Sequence, residues 1–223
     1  MNTFTSGVMT RRRISDSTVR RLSRYLRLLR ELDREGRTVV SSVELAEGSG
    51  TTAAQVRKDF SHFGSFGKRG QGYATHELLG RLEGILGLQR RWKVALIGVG
   101  RVGTALLGYG DLSQRGFDIV TAFDADPDKV DRVLTGVRIR PLSAMEKELS
   151  EAGIEIAIVA TPPDSAQAVA VRAAAAGVRA ILNFAPVKLD VGAGVATRTV
   201  DVSLELEALS FLLASGPDDE GVA

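Results

Sequence analysis

The chain has 223 residues, 44% hydrophobic and 25% charged, a composition typical of one large or two modest globular domains and not of a disordered chain. It contains no cysteine, which excludes disulfides, thiolate metal sites and cysteine nucleophiles. The net charge of +2 conceals an asymmetry: residues 1–91 have 17 Lys and Arg against 9 Asp and Glu, which leaves 12 against 18 for residues 92–223. A basic part followed by an acidic part predicts two domains, the first with a polyanion as its partner.

Neither a membrane segment nor a metal site is predicted. No apolar run approaches the roughly 18 residues of a membrane span, and the arginines at positions 11–13 are not followed by the apolar core of a signal peptide. We therefore expect a soluble, cytoplasmic protein without a membrane partner. The two histidines, His62 and His76, have no acidic or cysteine cluster at metal-ligand spacing beside them, so we expect no metal.

Three helices are predicted in the basic part of the chain. Apolar residues at helical spacing predict the first over residues 17–34, and the capping box Ser41-x-x-Glu44 begins a short second helix over residues 42–47. The third opens at Thr52 and runs to about position 62. The residues expected on the inner faces of the first and third helices are Val19, Leu22, Leu26, Leu29, Ala53, Val56, Phe60 and Phe63.

A short helix, a glycine-containing turn and a polar-faced helix form the helix-turn-helix pattern, whose second helix enters the major groove of DNA. The polar side chains left on that helix are Gln55, Arg57, Lys58 and Ser61. The glycine-rich residues 64–73 predict a wing around Lys68 and Arg69 whose tip approaches the phosphate backbone or the minor groove. A helix over residues 75–88 follows. The basic residues could instead be a solvated helix surface, but their co-location with a basic wing favours DNA binding.

The acidic part opens with a dinucleotide-binding fingerprint in its required context. An apolar strand is followed at once by Gly98, Val99, Gly100, Arg101, Val102 and Gly103, and then by a helical stretch. A second strand ends at Asp124, 21 residues beyond the last glycine. Asp124 is expected to bind the adenosine ribose hydroxyls and to repel a 2′-phosphate, which favours NAD(H) over NADP(H). An empty Rossmann-like domain, or one that holds coenzyme A, is the alternative.

The α/β alternation continues to the C-terminus. Helices are predicted to open at Ser143-x-x-Glu146 and at Asp164-x-x-Gln167, and strands are predicted over residues 155–160, over residues 179–183 and near Thr199. Ligands of an open parallel sheet lie across the carboxyl ends of its strands, so residues there are candidates for the nicotinamide end of the site. These are Thr161, Pro162, Asn183, Phe184 and Pro186.

The predicted fold is α/β with four parts: a winged helix-turn-helix DNA-binding domain with an N-terminal arm (1–88), a Rossmann NAD(H)-binding domain (92–200), a C-terminal dimerisation helix (201–214) and a disordered tail (215–223). A nicotinamide dehydrogenase needs a general acid or base, but residues 92–223 contain no histidine, one tyrosine (Tyr109) and four lysines without a catalytic pattern. We therefore predict no enzyme, and a ligand-controlled transcription factor instead. The alternatives are an NAD-dependent oxidoreductase with a fused basic module, or a helix-turn-helix regulator that senses coenzyme A.

Several runs resemble the Rex family of redox-sensing transcriptional repressors over about residues 14–214. They are Ser41–Ala46, Gln55–Gly64, Phe66–Tyr73 and Asn183–Val187. The resemblance implies a homodimer whose C-terminal helix is exchanged between subunits. It also implies binding to an inverted-repeat operator upstream of genes for respiration or NADH reoxidation, and release when NADH binds. NADH and NAD⁺ are then the sensed ligands.

The resemblance also implies roles for particular residues. The segment Gly98–Gly103 and Asp124 hold the dinucleotide, and the helix from Gln55 to Ser61, with Lys68 and Arg69, holds DNA. Tyr109 and Asp201 resemble family positions near the nicotinamide that link the ligand state to the position of the domains. Val202 follows Asp201 where some members have an aromatic residue.

Overall fold

The computed structural model describes residues 14–64 and 72–215. The chain divides into two compact units, residues 1–90 and 91–223. Within the described residues, no helix is both long enough and apolar enough to cross a membrane.

In residues 14–64 and 72–90, the first unit has four helices and a two-stranded antiparallel ladder. The helices are α1 (Asp16–Arg34), α2 (Ser42–Ser49), α3 (Ala53–Ser61) and α4 (Thr75–Leu86), and the paired strands are β1 (Val39–Val40) and β2 (Tyr73–Ala74). The predicted wing ends at Tyr73, the first residue of β2, whereas its predicted tip, with Lys68 and Arg69, lies outside the described residues. The core consists of Leu22, Tyr25, Leu26, Leu29, Val40, Leu45, Ala46, Val56, Phe60, Leu78 and Leu82.

The predicted set of buried residues on α1 is wrong at one position. Val19 is 39% exposed, whereas Thr18 and Tyr25 are buried. The buried stripe runs through positions 18, 22, 25 and 29, and Val19 lies about 100° around the helix from the first of these. On α3, Val56 and Phe60 are buried as expected, and Ala53 is half-buried against the same core. Phe63 is half-buried against this core too, but it lies two residues beyond the end of α3.

The second unit is a seven-stranded sheet in the order β5-β6-β4-β3-β7-β8-β9. Every neighbouring pair is parallel except the edge pair β5–β6. The strands are β3 (Trp92–Ile97), β4 (Phe117–Asp124), β5 (Val133–Leu134), β6 (Val137–Pro141), β7 (Ile156–Val159), β8 (Ala180–Asn183) and β9 (Ala196–Thr199). The six parallel strands have the Rossmann order, counted along the chain as 3-2-1-4-5-6, so the point where the strand order reverses lies between β3 and β7. The Rossmann prediction is confirmed.

Up to residue 215, where the described part of the chain ends, five α-helices accompany this sheet: α5 (Arg101–Leu107), α6 (Asp111–Gln114), α7 (Met145–Glu151), α8 (Pro163–Ala175) and α9 (Val202–Ser215). Two buried clusters lie on the two faces of the sheet. Residues of α7 and α8, among them Met145 and Val169, pack on one face, and Leu106 and Leu107 of α5 pack on the other. Because both faces are covered, the central strands are apolar along most of their length.

Two predicted helix starts are wrong in detail. Ser143 does not cap α7, which begins after a 3₁₀ turn without a side-chain cap, and Glu146 instead pairs with Arg172 of α8 at 2.5 Å. The next helix begins at Pro163, and the Gln167 amide bonds to the backbone of Asp190 rather than to its own helix terminus. In both cases the side chain expected to cap the helix binds a partner distant in sequence instead.

Helix α9 has a different environment from the other helices of this unit. The Asp201 carboxylate accepts a hydrogen bond from the Ser203 N–H at 2.9 Å, which caps the start of the helix. Every side chain from Val202 to Ala214 is exposed, including five leucines at 55–85%. An apolar helix with this exposure presents a large surface for another protein chain.

Candidate functional sites

The loop after β3 has the geometry that the three glycines of the fingerprint predict. Gly98 has φ +95°, and a Cβ there would lie 2.7 Å from the carbonyl oxygen of Ala160, at the end of β7. A Cβ at Gly103 would collide with the carbonyl oxygen of Gly98. These two glycines therefore allow α5 and β7 to approach the loop closely.

Gly100 has a different environment from the other two glycines. A Cβ at this position would have no atom within 4 Å. The adjacent Arg101 and Val102 side chains are exposed, whereas the Val99 side chain is buried between β3 and its neighbours. The backbone at Gly100 thus borders open space at the carboxyl edge of the sheet, and the second glycine of a dinucleotide-binding fingerprint is the one whose backbone approaches a pyrophosphate.

Asp124, at the end of β4, is 8% exposed and lies beside this loop. Its carboxylate accepts hydrogen bonds from the Val99 N–H at 2.7 Å, from the Asp126 N–H at 2.9 Å and from Lys129 Nζ at 3.2 Å. Burial raises the pKa of Asp124, but these donors lower it further, and the net pKa lies below the ordinary value. The carboxylate is therefore ionised at neutral pH and directly contacts the glycine-rich loop.

The other predicted residues of this edge follow β7 and β8, which pair in register at Val159 and Asn183. The Thr161 Oγ1 atom is buried and has no hydrogen-bond partner within the described parts of the chain, and Pro162 is exposed at the start of α8. Phe184 is half-buried and Pro186 is exposed.

Asn183 is fully buried, and its side chain is already engaged by its own loop. The amide Nδ2 donates to the carbonyl oxygens of Ala185 and Val187 at 2.9 and 2.8 Å, and to Thr199 Oγ1 at 3.3 Å. The Ala185 N–H donates to Asn183 Oδ1 at 2.9 Å. Asn183 therefore fixes the conformation of the loop that carries Phe184 and Pro186.

The two predicted switch residues, Tyr109 and Asp201, lie next to helices α5 and α9. Tyr109 follows α5, is 54% exposed, and its hydroxyl lies 3.3 Å from Asp111 Oδ2. Asp201 precedes α9 and caps it. The roles predicted for these two residues stay predictions.

On α3 of the first unit, three of the four predicted DNA-binding side chains are exposed: Arg57, Lys58 and Ser61. Arg57 Nη1 donates to Ser42 Oγ on α2 at 2.9 Å, and Ser61 Oγ donates to the Lys58 carbonyl oxygen at 2.7 Å. Two cations thus lie on the outer side of the second helix of the helix-turn-helix. The fourth residue, Gln55, is half-buried and is bound to Asp59 at 2.8 Å.

Asp59 is the centre of a hydrogen-bonded group that the sequence did not predict, the Asp59 network of Arg21, Tyr25, Gln55 and Asp59, in which Tyr25 and Asp59 are buried and Arg21 and Gln55 are half-buried. Its carboxylate is fully buried and accepts from Arg21 Nε at 2.6 Å, from Arg21 Nη2 at 2.7 Å and from the Tyr25 hydroxyl at 2.9 Å, besides Gln55. Burial raises the pKa of Asp59, but the donors lower it further, so that the net pKa lies below the ordinary value. Burial and the bond to Asp59 raise the pKa of Tyr25 to about 12.

One sequence signal could have found this network. Asp59 lies between Val56 and Phe60 on the inner face of α3, and an acid in an apolar stripe needs a buried partner. Lys129, which also escaped prediction, follows Asp124 by five positions on the same loop.

Within residues 14–64 and 72–215, no cluster of side chains has the composition of a metal site.

Comparisons with known proteins place both units in one family. A family described as "Putative DNA-binding protein N-terminus" matches residues 13–61, and one described as "CoA binding domain" matches residues 89–187. The redox-sensing transcriptional repressor Rex of Carboxydothermus hydrogenoformans is 44% identical over 199 residues, which cover 89% of this chain and 96% of the relative. The Rex protein of Syntrophomonas wolfei is 45% identical over 202 residues, with 91% and 96% coverage.

Solved structures of a Rex-family repressor named RSP are also similar to this chain. RSP in complex with β-NAD⁺ and operator DNA has a TM-score of 0.86 at 36% identity, covering 91% of this chain and 93% of that one. RSP in complex with β-NADH has a TM-score of 0.82 at 34% identity, covering 92% and 96%. The similarity extends over both units and is not limited to the Rossmann sheet.

Proposed function

The chain belongs to the Rex family of redox-sensing transcriptional repressors, and on that premise we propose that it is a homodimeric repressor that binds an inverted-repeat operator and leaves it when NADH binds the Rossmann unit. We propose that it acts in the cytoplasm and has no catalytic activity of its own. The operator contacts come from Arg57, Lys58 and Ser61, with Gln55 in the same helix and Lys68 and Arg69 at the wing tip.

The observation that carries the proposal is the pairing of open space at Gly100 with the ionised, buried carboxylate of Asp124. A backbone without a side chain admits a pyrophosphate, and a carboxylate at the end of the second Rossmann strand accepts from ribose hydroxyls. Its negative charge disfavours a phosphate on that ribose. These features support NADH and NAD⁺ as the sensed ligands.

Preference for the reduced nucleotide has a physical basis in the loop after β8. The half-buried side chains of Phe184 and Val187 offer apolar surface next to the exposed Pro186. Apolar surface penalises the cationic ring of NAD⁺ more than the neutral ring of NADH, unless an anion pairs with the cation. Asn183 acts by holding this loop, and Thr161 Oγ1, which has no partner among residues 14–64 and 72–215, could bind a ligand.

Dimerisation follows from the exposed surface of α9. Leucines at positions 204, 206, 209, 212 and 213 leave a single copy of the chain with an uncovered apolar helix. A second copy would cover it and would place two copies of α3 at a two-fold repeat, as an inverted-repeat operator requires. Tyr109 and Asp201 are proposed to couple the ligand state to the position of the domains.

Fluorescence anisotropy of a labelled inverted-repeat duplex from the upstream region of the gene tests the proposal. The duplex is titrated with protein at one salt concentration, without ligand, with NAD⁺ and with NADH. NADH alone should release the duplex, and only to the extent that it binds free protein more tightly than operator-bound protein. Equal NADH affinity of the two forms would contradict the mechanism.

Two further titrations address the alternatives. Coenzyme A carries a phosphate on its adenosine ribose, which Asp124 disfavours, so coenzyme A should neither release the duplex nor compete with NADH. Release by coenzyme A would instead support a coenzyme A sensor, which the description "CoA binding domain" for residues 89–187 makes a specific alternative. Oxidation of NADH with a carbonyl substrate, lost in Tyr109→Phe or Lys188→Ala, would support the oxidoreductase.

A further inference from the structure

The Asp59 carboxylate has no acceptor capacity left. Its Oδ1 atom accepts from Arg21 Nη2 and Gln55 Nε2, and its Oδ2 atom accepts from Arg21 Nε and the Tyr25 hydroxyl. An ionised carboxylate accepts about four hydrogen bonds, so these four donors saturate it. Asp59 is fully buried and contacts no solvent. Its role is therefore exerted through the side chains that it holds.

Gln55 is the member of the network nearest to the start of α3. A glutamine amide has two ends of nearly the same shape, an acceptor oxygen and a donor NH₂, and rotation by 180° exchanges them. Only the NH₂ end can donate to a carboxylate. Asp59 therefore determines which end of the amide faces inward, and the low pKa of Asp59 keeps it an acceptor at neutral pH.

The rest of the amide is available for an intermolecular contact. No hydrogen bond to Gln55 Oε1 is found within residues 14–64 and 72–215, and Nε2 keeps its second hydrogen. Gln55 lies in the first turn of α3, three residues after the Thr52 N-cap. The first turn of the second helix in a helix-turn-helix is the part that reaches base edges in the major groove.

An acceptor beside a donor is complementary to one base. Adenine presents the N6 amine as a donor and N7 as an acceptor in the major groove, and a glutamine amide pairs with both atoms. Guanine presents two acceptors there, and thymine presents one acceptor and a methyl group. An amide with a fixed orientation therefore discriminates, whereas an amide free to rotate accommodates several bases.

We propose that Asp59 is a positioning residue that fixes the orientation of the Gln55 amide, so that Gln55 reads one adenine in each half of the operator. The proposal rests on the proposed function, since it needs an operator. Arg21 and Tyr25 hold Asp59 from α1 and do not contact DNA. Specificity at this base pair thus depends on a buried residue that itself touches no base.

The test compares the base preference of four proteins, using full-length chain and duplexes randomised within both half-sites. Wild type should select adenine at one position of each half-site, about tenfold or more over the other bases. Gln55→Ala should lose the preference at that position alone, and Asp59→Asn should relax it there. Tyr25→Phe is the matched control, because it removes a different hydrogen bond to the same carboxylate and leaves the Gln55 bond intact.

Thermal unfolding and NADH binding are measured for each variant alongside the base preference. Tyr25→Phe should lower the unfolding temperature without changing the preference. A change of preference in Tyr25→Phe equal to that in Asp59→Asn would reduce the network to a general structural role and overturn the proposal. An unchanged preference in Gln55→Ala would also overturn it. Failure of wild type to bind any duplex would instead contradict the proposed function.

A spectroscopic measurement on wild type keeps the proposal testable if Asp59→Asn does not fold. The Gln55 side-chain amide signals, assigned by their loss in Gln55→Ala, should show one proton protected from exchange with solvent and one exposed. The chemical shifts and exchange rates of both amide protons should change as acid protonates Asp59. Two protons that exchange as fast as those of a solvated glutamine would overturn the proposal.

Discussion

Each unit of this protein holds one buried aspartate close to its candidate binding surface, and the two are used in opposite ways. Asp59 accepts from three side chains, two of them on another helix, and is fully buried. Asp124 accepts from two backbone N–H groups and one lysine, and keeps 8% of its surface exposed. In both, the donors outweigh burial and lower the pKa.

Asp59 and Asp124 differ in how easily another partner can take part in their hydrogen bonds. If Asp59 were removed, the half-buried guanidinium of Arg21 would lose its anionic partner, because it binds the carboxylate at two points and its other bond is to the neutral Thr18 Oγ1. The donors of Asp124 are loop N–H groups and an amine that lies at the surface, and water or a ligand can substitute for part of them. Asp59 therefore stabilises the fold of its unit, and Asp124 is available to a ligand.

Removal of Asp59 should have the largest effect of the changes considered. Asp59→Ala should cost about 3–5 kcal/mol of the unfolding free energy of the first unit, because it removes the acceptor of the Tyr25 hydroxyl and the anionic partner of Arg21, which keeps only its bond to Thr18 Oγ1. Urea denaturation followed by circular dichroism measures the helices of both units, whereas fluorescence of Trp92, the single tryptophan, reports on the second unit. In Asp59→Ala, the part of the circular dichroism signal that comes from the first unit should be lost at a lower urea concentration than in wild type. The urea midpoint of the Trp92 fluorescence transition should not change.

The exposed Glu47→Ala is the control for Asp59→Ala, with an expected change within about 0.5 kcal/mol. Acid provides a second check. Because the folded pKa of Asp59 lies below the ordinary value of 3.8, the stability that its ionisation contributes is complete above that value and is lost as the pH falls through the folded pKa. The difference in unfolding free energy between wild type and Asp59→Ala should therefore be constant near neutral pH and should shrink below about pH 4. A deficit that grows in acid would contradict the assigned ion pair.

The glycines of the second unit should separate stability from ligand binding. Gly103→Ala should destabilise this unit by about 1–3 kcal/mol, because its Cβ collides with the backbone carbonyl of Gly98. Gly100→Ala should leave stability nearly unchanged, since its Cβ meets no atom, but should lose NADH affinity by crowding the pyrophosphate. Trp92 fluorescence in urea and calorimetric titration with NADH measure the two effects. Retained NADH affinity in Gly100→Ala would show that the nucleotide binds elsewhere.

Replacement of a surface cation should have a smaller effect, confined to DNA. Arg57→Ala should weaken operator binding about tenfold, or about 1.4 kcal/mol, and leave NADH affinity unchanged. Arg34→Ala removes an exposed arginine at the end of α1 and is the matched control for net charge. Anisotropy titrations at one salt concentration compare the two variants. An equal loss in both would assign the effect to the charge of the unit rather than to α3.

The two aspartates also mark how far sequence reasoning reaches. The glycine-rich loop and Asp124 were predictable because a turn, a strand and a carboxylate at fixed spacing are constraints within one short segment. The Asp59 network joins residues 34 and 38 positions apart, and no local pattern encodes which arginine of α1 reaches α3. Strand β6 escaped prediction because Arg138 and Arg140 interrupt a run of only five residues. The apolar surface of α9 was predictable, because its leucines can be read directly from the sequence without knowledge of which distant residues they contact.

The smallest predicted effect compares the same short motif in the two units. Ser41-x-x-Glu44 forms a capping box in which Ser41 Oγ accepts from the Glu44 N–H at 3.1 Å and Glu44 Oε2 accepts from the Ser41 N–H at 2.8 Å. Ser143-x-x-Glu146 has the same pattern, but its glutamate pairs with Arg172 and its serine lies in a 3₁₀ turn. Ser41→Ala should therefore cost about 1 kcal/mol of the stability of its unit, and Ser143→Ala close to none. Equal losses in urea denaturation would mean that local sequence, rather than the distant arginine, decides where α7 begins.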